Sequence, residues 1–274
     1  MEKIDRLGWA AGICIVAYGL RIGIRVTDAS VMDQVIGVLP PGWRLATSPV
    51  VNNLYSLIVG GPSRQANVRR FNLLYSGPAR LARTLELEGA LNVLESDLHL
   101  YVSAMARRRL FLHAGVVGWA GRAIVIPGRS LSGKTSLVAA LLQAGASYYS
   151  DEFAVLDVRG RVHPFARPLA VRDETGQSLR KSPGEEFGAA TGVAPLPVGL
   201  VILTRYRSGA RWRPRPLSVG RGVLGLLAHA PAARRRPDFV FPVLRRVLSG
   251  PVLLSGARGD AKTMVPSLLG QCAW

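Results

Sequence analysis

Gly128-Arg129-Ser130-Leu131-Ser132-Gly133-Lys134-Thr135 has the form G-x-x-x-x-G-K-T, and its flanks decide how it folds. Before it, Ala123-Ile124-Val125-Ile126-Pro127 is short, apolar and β-branched, which predicts a buried strand. After it, Ser136-Leu137-Val138-Ala139-Ala140-Leu141-Leu142-Gln143-Ala144 is rich in strong helix formers, and Gly145 stands where a helix C-terminus favours glycine. Strand, glycine loop and helix in that order make a phosphate-binding loop. Its backbone N–H groups and the helix N-terminus form a concave, positive site suited to a triphosphate. Nucleotide contacts are therefore expected over Gly128, Arg129, Ser130, Leu131, Ser132, Gly133, Lys134, Thr135 and Ser136, with ATP as the cofactor. Lys134 is expected to reach the β- and γ-phosphates, and the Thr135 hydroxyl to sit on Mg²⁺.

Seventeen positions after Lys134 comes the pair Asp151-Glu152. Ala146-Ser147-Tyr148-Tyr149-Ser150 leads into it, and Phe153 to Val158 continues as an apolar extended run up to the turn Arg159-Gly160-Arg161. The pair is expected within this strand or at its edge. Adjacent side chains on extended backbone point to opposite sides, so one carboxylate can face the nucleotide while its neighbour faces elsewhere. A solvated turn pair is the ordinary alternative. Carboxylates beside aromatic and β-branched residues are costly to desolvate without a cation or donor, which favours a metal or catalytic role. His113, in Phe111-Leu112-His113-Ala114-Gly115, opens an apolar strand, where both a satisfied core histidine and a catalytic one fit.

From Leu112 to Asp157 the chain resembles the catalytic domain of HPr serine kinase/phosphorylase, a fold shared with the ATP-dependent phosphoenolpyruvate carboxykinases. The residues that carry the resemblance are His113, the loop from Gly128 to Thr135, and Asp151 with Glu152 at a short distance behind it. Glu152 stands where that family has a second Asp. The likeness is good over about 113–170, weaker towards the C-terminus and absent over the first hundred residues. Ser-Asp-Glu-Phe together with Gly-Arg-Ser-x-Ser-Gly-Lys-Thr is similar to a branch of HPr-kinase-related proteins, some of which act on peptides in lasso-peptide gene clusters. The resemblance implies an α/β fold with a P-loop HPr kinase/PEP carboxykinase-like catalytic domain and a smaller N-terminal α/β domain. It also implies a kinase acting on a peptide or protein with a Ser/Thr acceptor. In that kinase Asp151 would take the proton of the attacking hydroxyl, and Glu152, with Thr135, would hold Mg²⁺. Lys134 would draw charge from the transferred phosphoryl group, and His113 would belong to the catalytic set.

Composition bounds these readings. At 274 residues with 49% apolar content, the chain can bury a full core and is not disordered. Its two cysteines, Cys14 and Cys272, lie at opposite ends, which gives neither a disulfide framework nor a zinc site and fits the reducing cytoplasm. The apolar run from Gly8 to Leu20 spans 13 residues, whereas a bilayer needs ~20, so a strand at the buried edge of a sheet is expected and a membrane is not. Thirty-five Lys plus Arg against 17 acids give a charge of +18. The arginines come in short groups, such as Arg107-Arg108-Arg109 and Arg234-Arg235-Arg236, without interleaved aromatics, and nucleic acid is not expected as the primary partner. A homo-oligomer is left open.

Along the chain, residues 1–105 are expected to form the N-terminal α/β domain and 106–274 the catalytic one. The first includes a helix over Val31 to Leu39, a strand at Ser56 to Val59, and an amphipathic helix marked by Leu87, Leu91, Leu94, Leu98 and Val102, closed by Arg107 to Arg109. In the second, Asp173 to Gly192 is polar and aperiodic, and reads as a mobile lid or recognition loop. Val198 to Thr204 reads as a buried strand with Arg205 and Arg213 near its end, and Met264 to Leu269 as a closing helix. His99, His163 and His229 are expected to be structural. A small-molecule kinase on the same fold and a non-catalytic nucleotide-binding regulator remain the competing functions.

Overall fold

The apolar start of the chain folds as a hairpin. In a computed structural model, described at residues 3–61, 69–129, 132–172, 179–272 and 274, β1 (Ala11–Ala17) and β2 (Leu20–Val26) pair antiparallel across a tight turn at Tyr18-Gly19. The edge expected for this run belongs to another strand. β1 is bonded on both sides, because β3 (Arg44–Leu45) caps it. β4 (Asn53–Ile58), β5 (Asn72–Ser76) and β6 (Ala79–Thr84) complete a six-stranded sheet in the order β3-β1-β2-β4-β5-β6. β2 and β4 run parallel, and the short α1 (Met32–Gly37) lies in the crossover between them.

The leucine stripe forms α2 (Leu87–Met105), with Ala90, Leu91, Leu94, Leu98 and Val102 buried against β5 and β6. The arginines do not close it as expected. The helix stops at Met105 with Ala106 as its cap, Arg108 turns left-handed at φ 60°, and Arg109 already opens the next strand. The chain forms two compact units, Met1–Arg107 and Arg108–Trp274. No helix among the described residues is long and apolar enough to cross a membrane.

The second unit is a mixed sheet with helices on both faces. Its strands are β7 (Arg109–Trp119), β8 (Arg122–Pro127), β9 (Ser147–Ser150), β10 (Phe153–Asp157), β11 (Arg161–His163), β14 (Leu196–Tyr206), β15 (Arg215–Pro216) and β16 (Val252–Arg258). A separate two-stranded ribbon is made by β12 (Leu169–Arg172) and β13 (Leu179–Ser182). The main order is β11-β10-β7-β8-β14-β16-β15, with β9 also on β7 and β11 also on β14. Alternate residues of β8 serve the two cores, as the strand period requires. Ala123 and Val125 face α4 (Val219–Leu227) and α5 (Pro237–Val247), whereas Ile124 and Ile126 face α3 (Lys134–Gln143) and α6 (Ala261–Leu269). β8, β14 and β16 are mutually parallel, so their C-terminal ends share one edge of the sheet, where open α/β sheets hold ligands.

The polar segment Asp173 to Gly192 is a loop only in part. Residues 173–178 lie outside the described ones, but 179–182 pair with β12, and a 3-10 turn follows at Gly184–Phe187. Backbone bonds then pin the end of the segment to β9, since Tyr148 N donates to Ala190 O and Gly192 N to Tyr148 O. The closing helix α6 begins three residues earlier than its apolar run suggested, because Asp260 caps it through Lys262 N and Thr263 N.

Gly115 sets the distance between α3 and the sheet. A Cβ added there would lie 2.6 Å from Val138 Cγ2, so the helix that carries the phosphate loop rests directly on the β7 backbone. Gly115→Ala is expected to destabilise the protein by about 1–3 kcal/mol through overpacking. Urea unfolding with an unchanged midpoint would show that α3 has room to move away.

Candidate active site

The loop, the acidic pair and His113 meet at the centre of β7. β9 pairs with the second half of β7 and β10 with the first, so Asp151-Glu152 bridges the two directly opposite Gly115 and Ala114, with Glu152 O accepting from Ala114 N at 3.1 Å. β8 lies on the other side of β7, and Gly128 N donates to His113 O at 3.1 Å. The pair lies in neither strand but in a bend between β9 and β10, where Ser150 Oγ accepts from Glu152 N and Phe153 N, and the bend sends the two carboxylates apart. Asp151 turns to the start of α3, where Thr135 Oγ1 donates to its Oδ2 at 3.1 Å. Glu152 turns the other way, to Arg167 Nη1 at 2.8 Å. The Thr135 hydroxyl therefore sits on Asp151, while Glu152, named in the sequence as its metal-binding companion, sits in an ion pair.

Asp151 is half-buried, with only neutral hydroxyls within hydrogen-bond reach of its oxygens. Tyr148 OH lies 3.2 Å from its Oδ1 and 2.7 Å from Arg167 O, so its single proton serves two acceptors. Burial pushes the Asp151 carboxyl above its ordinary value, the Thr135 bond opposes this, and the charge of Glu152 adds to it. A desolvated carboxylate without a bonded cation is the kind of group that burial readies for proton transfer or metal binding. Nearby, burial pushes the Arg167 guanidinium down to about 10.

Lys134 begins α3 behind Gly133, whose φ of +79° bends the loop into the helix. Its Nζ donates to Gly128 O and Arg129 O, both at 2.8 Å, which holds the ammonium inside the loop. Burial lowers its pKa, while Asp151 and Glu152 support the charge. His113 stacks on Phe153 with ring centres 4.6 Å apart, and burial moves its pKa down against the pull of Glu152, so the imidazole is neutral near pH 7. Ser136 is exposed on the first turn of α3, whereas Ser130 and Leu131 lie outside the described residues.

Two further residues reach this cluster from late in the chain. Arg258, at the end of β16 and 2% exposed, donates from Nη2 to Gly133 O at 2.7 Å and to Ser132 O at 3.2 Å. A Cβ on Gly133 would fall 2.2 Å from that nitrogen, so glycine and arginine fit only as a pair. His229 was expected to be structural. Its carbonyl accepts from His113 N at 2.8 Å, and its ring is near enough to Lys134, His113 and Arg129 for their charges to depress its pKa further below the effect of burial. His163 does take a structural part, bonding Asp157 Oδ2 at 2.9 Å. Arg205 is exposed, and its strand neighbour Tyr206 sits beside Arg258 instead. A signal for Arg258 was present in the sequence, since the apolar run Val252 to Ala257 ends in an arginine where a parallel strand would point it at a ligand. His229 had none.

Among the described residues no three His, Cys, Asp or Glu side chains converge to hold a metal by protein ligands alone. Phosphoryl-transfer Mg²⁺ takes one or two protein oxygens and completes its shell with phosphate and water, so the Thr135 hydroxyl with a single carboxylate would suffice. No family model matches this chain, and a search of curated proteins finds no match.

Proposed function

We propose that the second unit is an ATP- and Mg²⁺-dependent kinase, on an HPr kinase/PEP carboxykinase-like fold, that passes the γ-phosphate to a Ser or Thr hydroxyl of a peptide or protein. The observation that carries this reading is the meeting of the loop residues Lys134 and Thr135 with the half-buried carboxylate of Asp151. Phosphoryl transfer needs mainly positioning and charge neutralisation, and the chain supplies both. The loop amides and Lys134 would cradle the phosphates. Asp151, readied by desolvation, would accept the hydroxyl proton as that oxygen attacks phosphorus. Thr135, together with Glu152 once released from Arg167, would hold Mg²⁺, which would supply charge neutralisation at the phosphate oxygens. Neutral His113 borders the same space and can accept a hydrogen bond from the acceptor. Arg258 keeps the loop backbone in place. Both cysteines are free, in keeping with a cytoplasmic enzyme.

The test is transfer of labelled γ-phosphate to a panel of peptides, proteins and free metabolites, with mass spectrometry locating the acceptor atom. Label is expected on serine or threonine. Label only on a metabolite would instead make the protein a small-molecule kinase, and nucleotide binding without transfer would make it a regulator.

A further inference from the structure

α4 and α5 enclose a groove of about 700 Å³ lined by Val219, Val223, Phe241, Pro242, Arg245 and Arg246. Its floor is apolar and open to solvent, with Phe241 49% and Val219 46% exposed, and Leu224 next to it 69% exposed. Isolated exposed apolar residues are ordinary, but a concave cluster of them is the form that peptide-binding grooves take. The rim is cationic. Arg245 and Arg246 line it in the last turn of α5, and the carboxylate of Asp238 lies at the opposite end of that helix.

Both walls are tied to the active-site strands. α4 ends two residues before His229, whose carbonyl is bonded to His113 N. α5 is held to the turn after β10 by Arg246 Nη1 on Val158 O at 3.0 Å. α4 rises about 12 Å from Val219 to Leu227 at ~1.5 Å per residue, and the two residues on to His229 bring the far end of the groove to roughly 15 Å from the cluster. An extended chain covers that distance in about four or five residues.

We infer that this groove docks the acceptor chain, as an acidic peptide segment with apolar anchors lying about five residues from the hydroxyl that receives phosphate. The inference rests on the kinase reading and names its substrate class. Apolar side chains of the peptide fill the space between Val219, Val223 and Phe241, and its carboxylates meet Arg245 and Arg246. An acidic segment complements Arg245 and Arg246 better than a second copy of this chain, which itself carries +18. Arg245 is free to serve because it is exposed, and charge pairs at such a rim act mainly on encounter and specificity, and weaken with salt.

The test starts from a displayed pool of random short peptides, selected on the full chain without nucleotide and counter-selected on Phe241→Ala/Arg245→Glu. Both positions are exposed, and matching melting curves would establish that the variant is folded. Enriched peptides are expected to carry two apolar residues flanked by Asp or Glu, and to bind the variant at least tenfold more weakly, a loss of about 1.4 kcal/mol. Their affinity should fall as salt rises. Placing a serine four to six residues from the anchor should give an acceptor whose KM rises about tenfold in the variant with kcat unchanged. No enrichment, a basic consensus, or winners that bind the variant equally well would overturn the groove. Mg-ATP stabilisation of the same preparations separates the two claims. Stabilisation without peptide capture defeats only the docking site, and capture without stabilisation defeats only the kinase.

Discussion

Replacing Lys134 by alanine is expected to abolish the stabilisation that Mg-ATP gives the wild-type protein, while leaving the unliganded fold intact. The ammonium contributes to the loop through two bonds, to Gly128 O and Arg129 O, and both carbonyls can turn to water when it is gone. Alanine is a strong helix former at the first position of α3, and losing a half-buried cation whose pKa is already depressed by desolvation costs the core little. The nucleotide depends on it far more. A ligand at ~100 times its dissociation constant adds about 2.7 kcal/mol to stability, a melting shift of several degrees for a chain of this size. Wild type should show that shift and Lys134→Ala should not. A wild-type melting curve unmoved by saturating Mg-ATP would remove the nucleotide site altogether.

Asp151→Asn should separate chemistry from binding. Asparagine fits the observed bonds, accepting from Thr135 Oγ1 through its oxygen and donating from its amide to Tyr148 OH, which keeps its own proton on Arg167 O. It cannot take a proton, so turnover should fall by about 10²–10⁴ with nucleotide affinity little changed. Stability should move the other way. The carboxyl of Asp151 is held above its ordinary 3.8 by burial, so the folded state binds that proton more tightly than the unfolded chain does. Its favourable contribution is full below 3.8, declines as pH climbs to the folded value, and stays lost above it. The unliganded Asp151→Asn protein should therefore melt above wild type near neutral pH, with the gap closing as pH drops towards 3.8. Glu152→Gln should break the ion pair with Arg167 and raise the Mg²⁺ concentration needed for half-maximal rate. Equal and mild effects from both substitutions would mark the pair as structural.

The parts of this site that could be read from the sequence are those whose geometry is local. The β-branched run before Gly128, the loop and the helix formers after it specify β8, the turn and α3 within about twenty residues. Opposed directions for Asp151 and Glu152 were expected from the two-residue period of a strand, and the side chains do part, but at a bend between β9 and β10 that the sequence did not show. Long-range pairing hid the rest. Arg258 comes 125 residues after Gly133, yet bonds its carbonyl, because β16 lies parallel to β14 and ends on the same edge of the sheet as β8. His229 enters through a backbone bond to β7, which carries no side-chain signature. The lid reading of Asp173 to Gly192 failed over its second half for a related reason: polar residues gave no periodicity, but their backbone groups had partners waiting in β12 and β9. In the first unit the hydrophobic pattern placed α2 and the early strands, and nothing in it marked a chemical site.

A single-turnover measurement addresses the central claim most directly. Wild type and Asp151→Asn, each in excess over γ-labelled Mg-ATP and supplied with the peptide or protein acceptor, are quenched over time, and the label is followed from ATP to phosphoserine or phosphothreonine. A phosphoryl-transfer site built on Lys134, Thr135 and Asp151 predicts that label moves to the hydroxyl in wild type and about 10²–10⁴ more slowly in Asp151→Asn. Label that remains in ATP, or that leaves it at the same rate in both proteins, would contradict it.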